Sequence, residues 1–326
     1  MPFSRDDYWV WDFWFADDGD RFHLYYLHAP RTLRDPDLRH RNARVGHAVS
    51  TDLRTWRDLG ECLAPDGSTA IDADATWTGS VVRDVDGGWR MFYTGSRFLT
   101  PLGAANIETV AVATSHDLHT WVKHPEQALS ADPSLYETLG ATSWREEAWR
   151  DPWVMQAPRG HGWWMLLTAR SSHGDDELDR GVIGLATSDD LISWQVRPPL
   201  SEPGAGFCHL EVPQVIDVDG HRAVIFSCDT PALAGARAER GERGGIWIVD
   251  VDDALSSIDA SSARLLLDDA HYAARVVTDR DGQPQLLAFR NTTVDSVFTG
   301  GITDPMPLRW SALTGISVDQ SAEVFS

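Results

Sequence analysis

Apolar positions along this chain come in short blocks, each closed by Gly, Asp or Pro. The runs RFHLYYLH, GWRMFYTG, GWWMLLTAR, HRAVIFS and PQLLAFRN are aliphatic and aromatic, the makeup of strands. A helical period is weak nearly everywhere. Each run follows a turn signal, at Asp18-Gly19-Asp20, Asp86-Gly87-Gly88, Arg159-Gly160-His161-Gly162, Asp219-Gly220 and Asp281-Gly282. Before each turn stands a second strand-like run: VWDFWFA, TWTGSVVRDV, WRDPWVMQA, LEVPQVIDV and YAARVVTD. The chain therefore reads as a series of hairpins.

The hairpins recur at a fixed period. Nine residues before the turn glycine lie Thr78, Asp151, Glu211 and Ala273, and the first copy, with a shorter turn, has Asp12 seven residues before Gly19. These positions are 66, 73, 60 and 62 apart, so five units of about 65 residues fill the 326. A third strand also repeats, as HAVSTDLRTW, VAVATSHDLHTW and IGLATSDDLISW. Its later copies, GGIWIVDVDDAL and TGGITDPMPL, keep the strand and lose the Asp-Leu-x-x-Trp ending. A four-strand unit at this period predicts an all-β fold, a five-bladed β-propeller forming a single domain over residues 1–326. The last outer strand is expected in the final segment, ISVDQSAEVFS. Asp52, Asp117 and Asp190 of the repeated ending read as turn-forming residues, and their tryptophans as filling between blades.

Composition narrows the function. The chain carries 28 basic and 49 acidic residues, a net charge of −21, which repels nucleic acid and anionic membranes. Three cysteines, Cys62, Cys208 and Cys228, give no disulfide framework. The N-terminal residues lack a signal pattern, and no apolar run reaches the ~18 residues of a membrane span. A cytoplasmic protein is expected, with a small molecule or oligosaccharide as its partner.

In a propeller the inner strands line a channel, and their equivalent positions meet at one mouth. Those positions offer Asp12, Asp151 and Glu211, with Trp77, Gly79 and Ser80 from the second unit and Tyr272 from the fifth. Carboxylates walled by aromatic rings suit a sugar. Ring faces pack on its C–H surface, and a carboxylate pair cleaves a glycosidic bond. Like charge from Asp12 and Asp151 is expected to raise the acid's pKa. Blander roles compete: Asp12 capping a turn or pairing with Arg5, Asp151 pairing with Arg150, and Glu211 on an edge surface. Alternation in HLEVPQVIDV puts His209 on the face of Glu211, as a contact for the leaving group or as a structural histidine. Trp9, Trp14 and Trp153 read as core. The polar stretch HAPRTLRDPDLRHRNARVGH reads as a rim loop without metal-ligand geometry, so no metal or cofactor is assigned.

The same residues carry a family resemblance. VWDFW resembles the nucleophile segment of glycoside hydrolase family 68, the levansucrase family, and more loosely that of family 32. WTGS resembles the Trp/Phe-Ser-Gly-Ser segment of both, and WRDPWV their Arg-Asp-Pro motif. HLEVPQV resembles the segment holding the acid/base, and DAHYAARV the fifth-blade Asp-Phe-Tyr-Ala segment. The resemblance implies a retaining enzyme acting on sucrose, fructo-oligosaccharide or fructan, by hydrolysis or fructosyl transfer. It implies Asp12 as nucleophile, Glu211 as acid and then base, and Asp151 beside Arg150 holding fructosyl hydroxyls. Trp11, Trp77, Ser80 and Tyr272 would line the fructosyl subsite. WDFWF departs from the Asn-Asp-Pro-Asn-Gly form of family 32, and Val212 replaces Cys or Arg in the acid segment. The C-terminal β-sandwich usual in family 32 is expected to be absent. An inverting family 43-like arabinofuranosidase or xylosidase and a non-catalytic carbohydrate-binding propeller are the competing readings.

Overall fold

The computed structural model describes residues 2–67, 70–101, 103–291 and 297–319. The described residues form five four-stranded antiparallel sheets, each built from consecutive strands. Blade 1 holds β1 (Tyr8–Asp17), β2 (Phe22–Pro30), β3 (Arg44–Ser50) and β4 (Arg57–Leu63). Blade 2 holds β5 (Ala75–Arg83), β6 (Trp89–Phe98), β7 (Asn106–Ser115) and β8 (Val122–Lys123). Blade 3 holds β9 (Trp149–Gln156), β10 (Trp163–Arg170), β11 (Gly181–Ser188) and β12 (Trp194–Arg197). Blade 4 holds β13 (Glu211–Val218), β14 (His221–Cys228), β15 (Gly245–Asp250) and β16 (Arg264–Asp268). Blade 5 holds β17 (His271–Thr278), β18 (Pro284–Arg290), β19 (Met306–Ser311) and β20 (Gly315–Val318). The expected last outer strand is thus β20, and residues 320–326 lie outside the described residues.

The first strands of the blades touch in the cyclic order β1, β5, β9, β13, β17 and back to β1. This is the five-bladed propeller anticipated from the repeat. The seam is stitched by the chain's beginning: Phe3 and Ile302 exchange two backbone hydrogen bonds, at 2.9 and 2.8 Å. Apolar clusters fill the spaces between neighbouring blades, as where Val224, Phe226 and Trp247 of blade 4 meet Leu166 and Ile183 of blade 3.

The repeated outer ending is architectural. Asp52 accepts from the amides of Arg54 and Thr55, Asp117 from those of His119 and Thr120, and Asp190 from those of Ile192 and Ser193, all at 2.7–2.8 Å. The following leucines, Leu53, Leu118 and Leu191, take φ of 60, 63 and 64°. Trp121 and Trp194 each reach an aromatic ring of the preceding blade, Tyr25 and Phe92. The fifth blade departs from expectation. TGGITDPMPL gives only isolated bridges at Ile302, to Phe3 and Phe289, before β19 begins at Met306. Pro305 and Pro307 lack an N–H to donate, which breaks the ladder there. No helix among the described residues is long and apolar enough to cross a membrane.

Candidate active site

Every inner strand interrupts its pairing at the same level. The break falls between Val10 and Phe13 in β1, Trp77 and Gly79 in β5, Arg150 and Trp153 in β9, Glu211 and Gln214 in β13, and Tyr272 and Arg275 in β17. Such bulges re-aim side chains. At three of them the first unpaired residue, Asp151, Val212 or Ala273, is left-handed, with φ of 58, 55 and 47°. This conformation costs an L-residue about 1–3 kcal/mol and persists only where the surroundings enforce it. In β5 the crowding is steric: a Cβ on Gly79 would run into the Phe92 carbonyl.

The bulges correct the repeat alignment by one residue in blade 4. Counting from the turn glycine equates Glu211 with Asp151, but the bulge equates Asp151 with Val212. Blade 4 closes its hairpin with only Asp219 and Gly220, so β13 runs one residue further before turning. Glu211 is therefore the counterpart of Arg150 and Tyr272, and these three side chains meet. Arg150 Nη2 donates to Glu211 Oε1 at 2.7 Å, and the Tyr272 hydroxyl donates to Glu211 Oε2.

Arg150 is the hub. Its Nη1 bonds both oxygens of Glu108, at 3.2 and 3.1 Å, and lies 3.5 Å from Glu146, while its Nε lies 3.7 Å from Asp151. Asp151 accepts from the Thr168 hydroxyl at 2.7 Å and the Val212 amide at 3.1 Å, and its own amide donates to Thr94. Asp12 accepts from the Thr78 hydroxyl of the next blade. Its contact is thus not Arg5, which pairs with Asp58 at 3.2 Å. Asp151 is 3 % exposed, while Asp12 and Glu211 keep part of their surface open.

The three carboxyls differ in charge preference. Burial, aided by the charges of Asp151 and Glu211, pushes Asp12 up to about 7, against the Thr78 hydrogen bond and Arg275. Burial raises Asp151 as well, opposed by Arg150. Burial also disfavours the Glu211 anion, but His209, Arg150 and the Tyr272 hydroxyl outweigh it and hold that carboxyl down to about 2. This reverses the expectation that neighbouring carboxylates raise Glu211. His209 lies against it and the Arg150 guanidinium is in direct contact, and together with the Tyr272 hydroxyl they outweigh burial.

The remaining expected residues are spread around this core. Trp11 is buried beside Asp12, its ring 6.3 Å from His40. Trp77 is half-buried and donates its indole N–H to the His40 carbonyl at 2.7 Å. Ser80 points elsewhere: it is buried and accepts the Val154 amide at 3.1 Å, joining blades 2 and 3. His209 lies 3.5 Å from Glu211, its own pKa pushed down by burial. Trp9 and Trp14 are core, and Trp153 sits under the Arg275 guanidinium at 5.2 Å.

Sequence reasoning missed Thr78, Arg275, Arg39 and Glu108. Arg275, buried, donates to the carbonyls of Val212 and Pro213, and its charge favours ionisation of Asp151 and Asp12. Arg39 comes from the rim loop, over the rings of Trp11 and Phe298 at 5.8 and 3.9 Å. Thr78 was within reach, since it occupies the aligned inner position of blade 2. Among the described residues no group of His, Cys, Asp and Glu is arranged to hold a metal ion.

The family model described as glycosyl hydrolases family 32 N-terminal domain matches residues 14–299. Raffinose invertase of Escherichia coli is 26 % identical over 282 residues, 83 % of this chain and 52 % of that protein. The chain thus spans about half the length of that relative. The structure of inulosucrase from Halalkalicoccus jeotgali superposes with a TM-score of 0.76 at 21 % identity, covering 98 % of this chain and 89 % of that one. Levansucrase from Gluconacetobacter diazotrophicus gives a TM-score of 0.72 at 18 % identity, covering 98 % and 82 %. At these identities the two structures speak to the fold, which all three propellers share.

Proposed function

From the premise that this chain belongs to glycosyl hydrolase family 32, we propose that it is a retaining β-fructofuranoside-active enzyme, built as one propeller unit over residues 1–326. Its substrates are sucrose or fructo-oligosaccharides of the fructan type. The relatives support the substrate class: one is named for raffinose, and the inulosucrase structure is described as holding kestose. The observation that carries the reading is the cluster itself, in which carboxyls from blades 1, 3 and 4 share one buried electrostatic environment.

Asp12 attacks the anomeric carbon of the fructosyl unit while Glu211 gives a proton to the glycosidic oxygen, and the aglycone leaves. Water, or a sugar hydroxyl, then gives its proton to Glu211 and displaces Asp12. Asp151 accepts hydrogen bonds from fructosyl hydroxyls, and Trp11 and Trp77 wall the ring. The reactive form has Asp12 ionised and Glu211 protonated, the reverse of the preference set by the protein alone. Sugar hydroxyls donating to Asp12 lower its pKa, and Glu211 takes its proton as Arg150 and Tyr272 release it. The three cysteines are free, which supports a reducing compartment such as the cytoplasm.

The test is to incubate the protein with sucrose and with kestose and to follow the first product anomer by NMR. Release of β-fructofuranose supports the reading. First release of the α anomer would assign an inverting enzyme, and turnover of an arabinoside or xyloside alone would assign another substrate class.

A further inference from the structure

The Arg150 guanidinium divides its nitrogens among four carboxyls, and only two of these enter the reaction described above. Nη2 donates to Glu211 at 2.7 Å, and Nε lies 3.7 Å from Asp151. Nη1 serves Glu108 instead, at 3.1 and 3.2 Å, with Glu146 at 3.5 Å.

Glu108 is built in. It stands on β7, the third strand of blade 2, and is 1 % exposed. Besides Arg150, the Trp149 amide donates to it at 3.0 Å and the Asn106 side-chain amide at 3.2 Å. All three partners are donors, which suits an ionised carboxyl and leaves a protonated one nothing to donate to among them. Burial raises the pKa of Glu108. The Arg150 charge and the Trp149 amide oppose this, and Glu146 adds to it.

Crowding acid around one cation weakens its hold on each. Burying Glu108 and Asp151 and partly burying Glu211 is costly, because a single guanidinium then answers an excess of negative charge. A cation already matched by Glu108 attracts Glu211 less than a free one would. The chemistry needs that reduction. Glu211 has to carry a proton before it can give one to the glycosidic oxygen. His209, Arg150 and the Tyr272 hydroxyl favour its anion against burial. From the other blades and the rim, Asp12, Asp151, Asp229 and His40 also feel its charge, and the three aspartates favour the protonated form.

We infer that Glu108, seconded by Glu146, is a positioning residue for the acid: by holding Arg150 through Nη1 it limits how strongly the guanidinium claims Glu211, so that Glu211 can take up and deliver its proton. The inference rests on the fructoside reading above.

The test compares Glu108→Gln with the wild type on sucrose and on a fructoside whose leaving group departs unprotonated. Expected on sucrose is a loss in kcat/KM of about tenfold, the size of one unit in the acid's pKa. On the activated fructoside the loss should be about threefold at most. Combined with Glu211→Gln, the substitution should add no further loss on sucrose, because its effect passes through that carboxyl. Glu108→Asp, which keeps the charge, should restore the wild-type ratio between the two substrates. Equal losses on both substrates, or losses that add in the double variant, would make Glu108 a structural prop and overturn the inference. If Glu108→Gln does not fold, Glu146→Gln replaces it at a partly exposed position. The ratio should move the same way there, and an unchanged ratio would overturn the inference.

If the wild type cleaves no fructoside, the fructoside reading has failed, and carbon-13 NMR of the Glu211 carboxyl decides the role of Glu108. A Tyr272→Phe background removes one group that holds Glu211 down. In that background Glu108→Gln should make Glu211 titrate at lower pH. An equal or higher value would show that Glu108 does not restrain Arg150.

Discussion

Acidic residues appear in this propeller in two settings that share a backbone shape and differ in how uniformly their surroundings treat the charge. At the outer turns stand Asp52, Asp117 and Asp190. At the inner bulges stand Asp12, Asp151 and Glu211. Each outer turn has a left-handed residue, and so do three of the inner bulges. At the outer turns the residues are the same three times over, and backbone amides hold Asp52 and Asp117 down to about 2. At the inner bulges the residue changes from blade to blade, and so does the charge preference: Asp12 is pushed up to about 7 and Glu211 is held down to about 2. Repetition of shape with repetition of residue is architecture. Repetition of shape with changing residues is where we propose the chemistry lies.

The contrast is broken most severely at Asp12. Asp12→Ala is expected to lower kcat on the order of 10⁴-fold or more while the protein stays folded, because no other group can form the covalent intermediate. A purified variant with comparable turnover would put the nucleophile elsewhere. Next comes Glu211→Gln. Sucrose turnover should fall roughly 10²–10⁴-fold, whereas a fructoside with a leaving group that departs unprotonated should lose far less. Equal losses on both substrates would make Glu211 a binding group.

Stability separates the two settings further. A carboxyl raised in the folded state binds more protons there than in the unfolded chain, so its contribution to stability falls as pH rises from the unfolded value towards 7. Asp12→Asn should therefore gain on the wild type between pH 5 and pH 8, by roughly 2–3 kcal/mol in urea titrations. A constant gap across that range would deny Asp12 its raised pKa. The outer aspartates work the other way. Their pKa values are depressed, so their contribution is present above the unfolded value near 4 and lost as pH falls towards 2. Asp117→Ala should cost about 1 kcal/mol at pH 7, as for a lost cap, and leave kcat untouched. A change in kcat would merge the two classes.

The five blades were legible because a hairpin has to declare its turn locally: a Gly-containing turn between two apolar runs shows in any single copy. The catalytic candidates were legible because they are the odd residues at repeated positions. The cluster's wiring was not. Glu108 lies on the third strand of blade 2, Arg39 on a rim loop, and Arg275 three residues beyond Tyr272. No spacing rule links them to Arg150 or Asp12. Ser80 was drawn in by its motif, but it faces away and binds the Val154 amide. The charge state of Glu211 was misread for the same reason, since it depends on an arginine contact that crosses from blade 3 to blade 4.

The seam at Phe3 and Ile302 has a consequence for how the protein comes to be active. Contacts between distant parts of a chain form late, because loop closure has to come first. Blades 3, 4 and 5 are contiguous in sequence, so the Arg150, Glu211 and Tyr272 assembly can form without the seam. Asp12 lies in the blade beside it, with β1 packed against both β5 and β17. Blades 1 and 2 are contiguous too, and the hydrogen bond from Thr78 to Asp12 joins them without the seam. Closing the ring therefore adds the second flank of blade 1, packing β17 against the strand that carries Asp12.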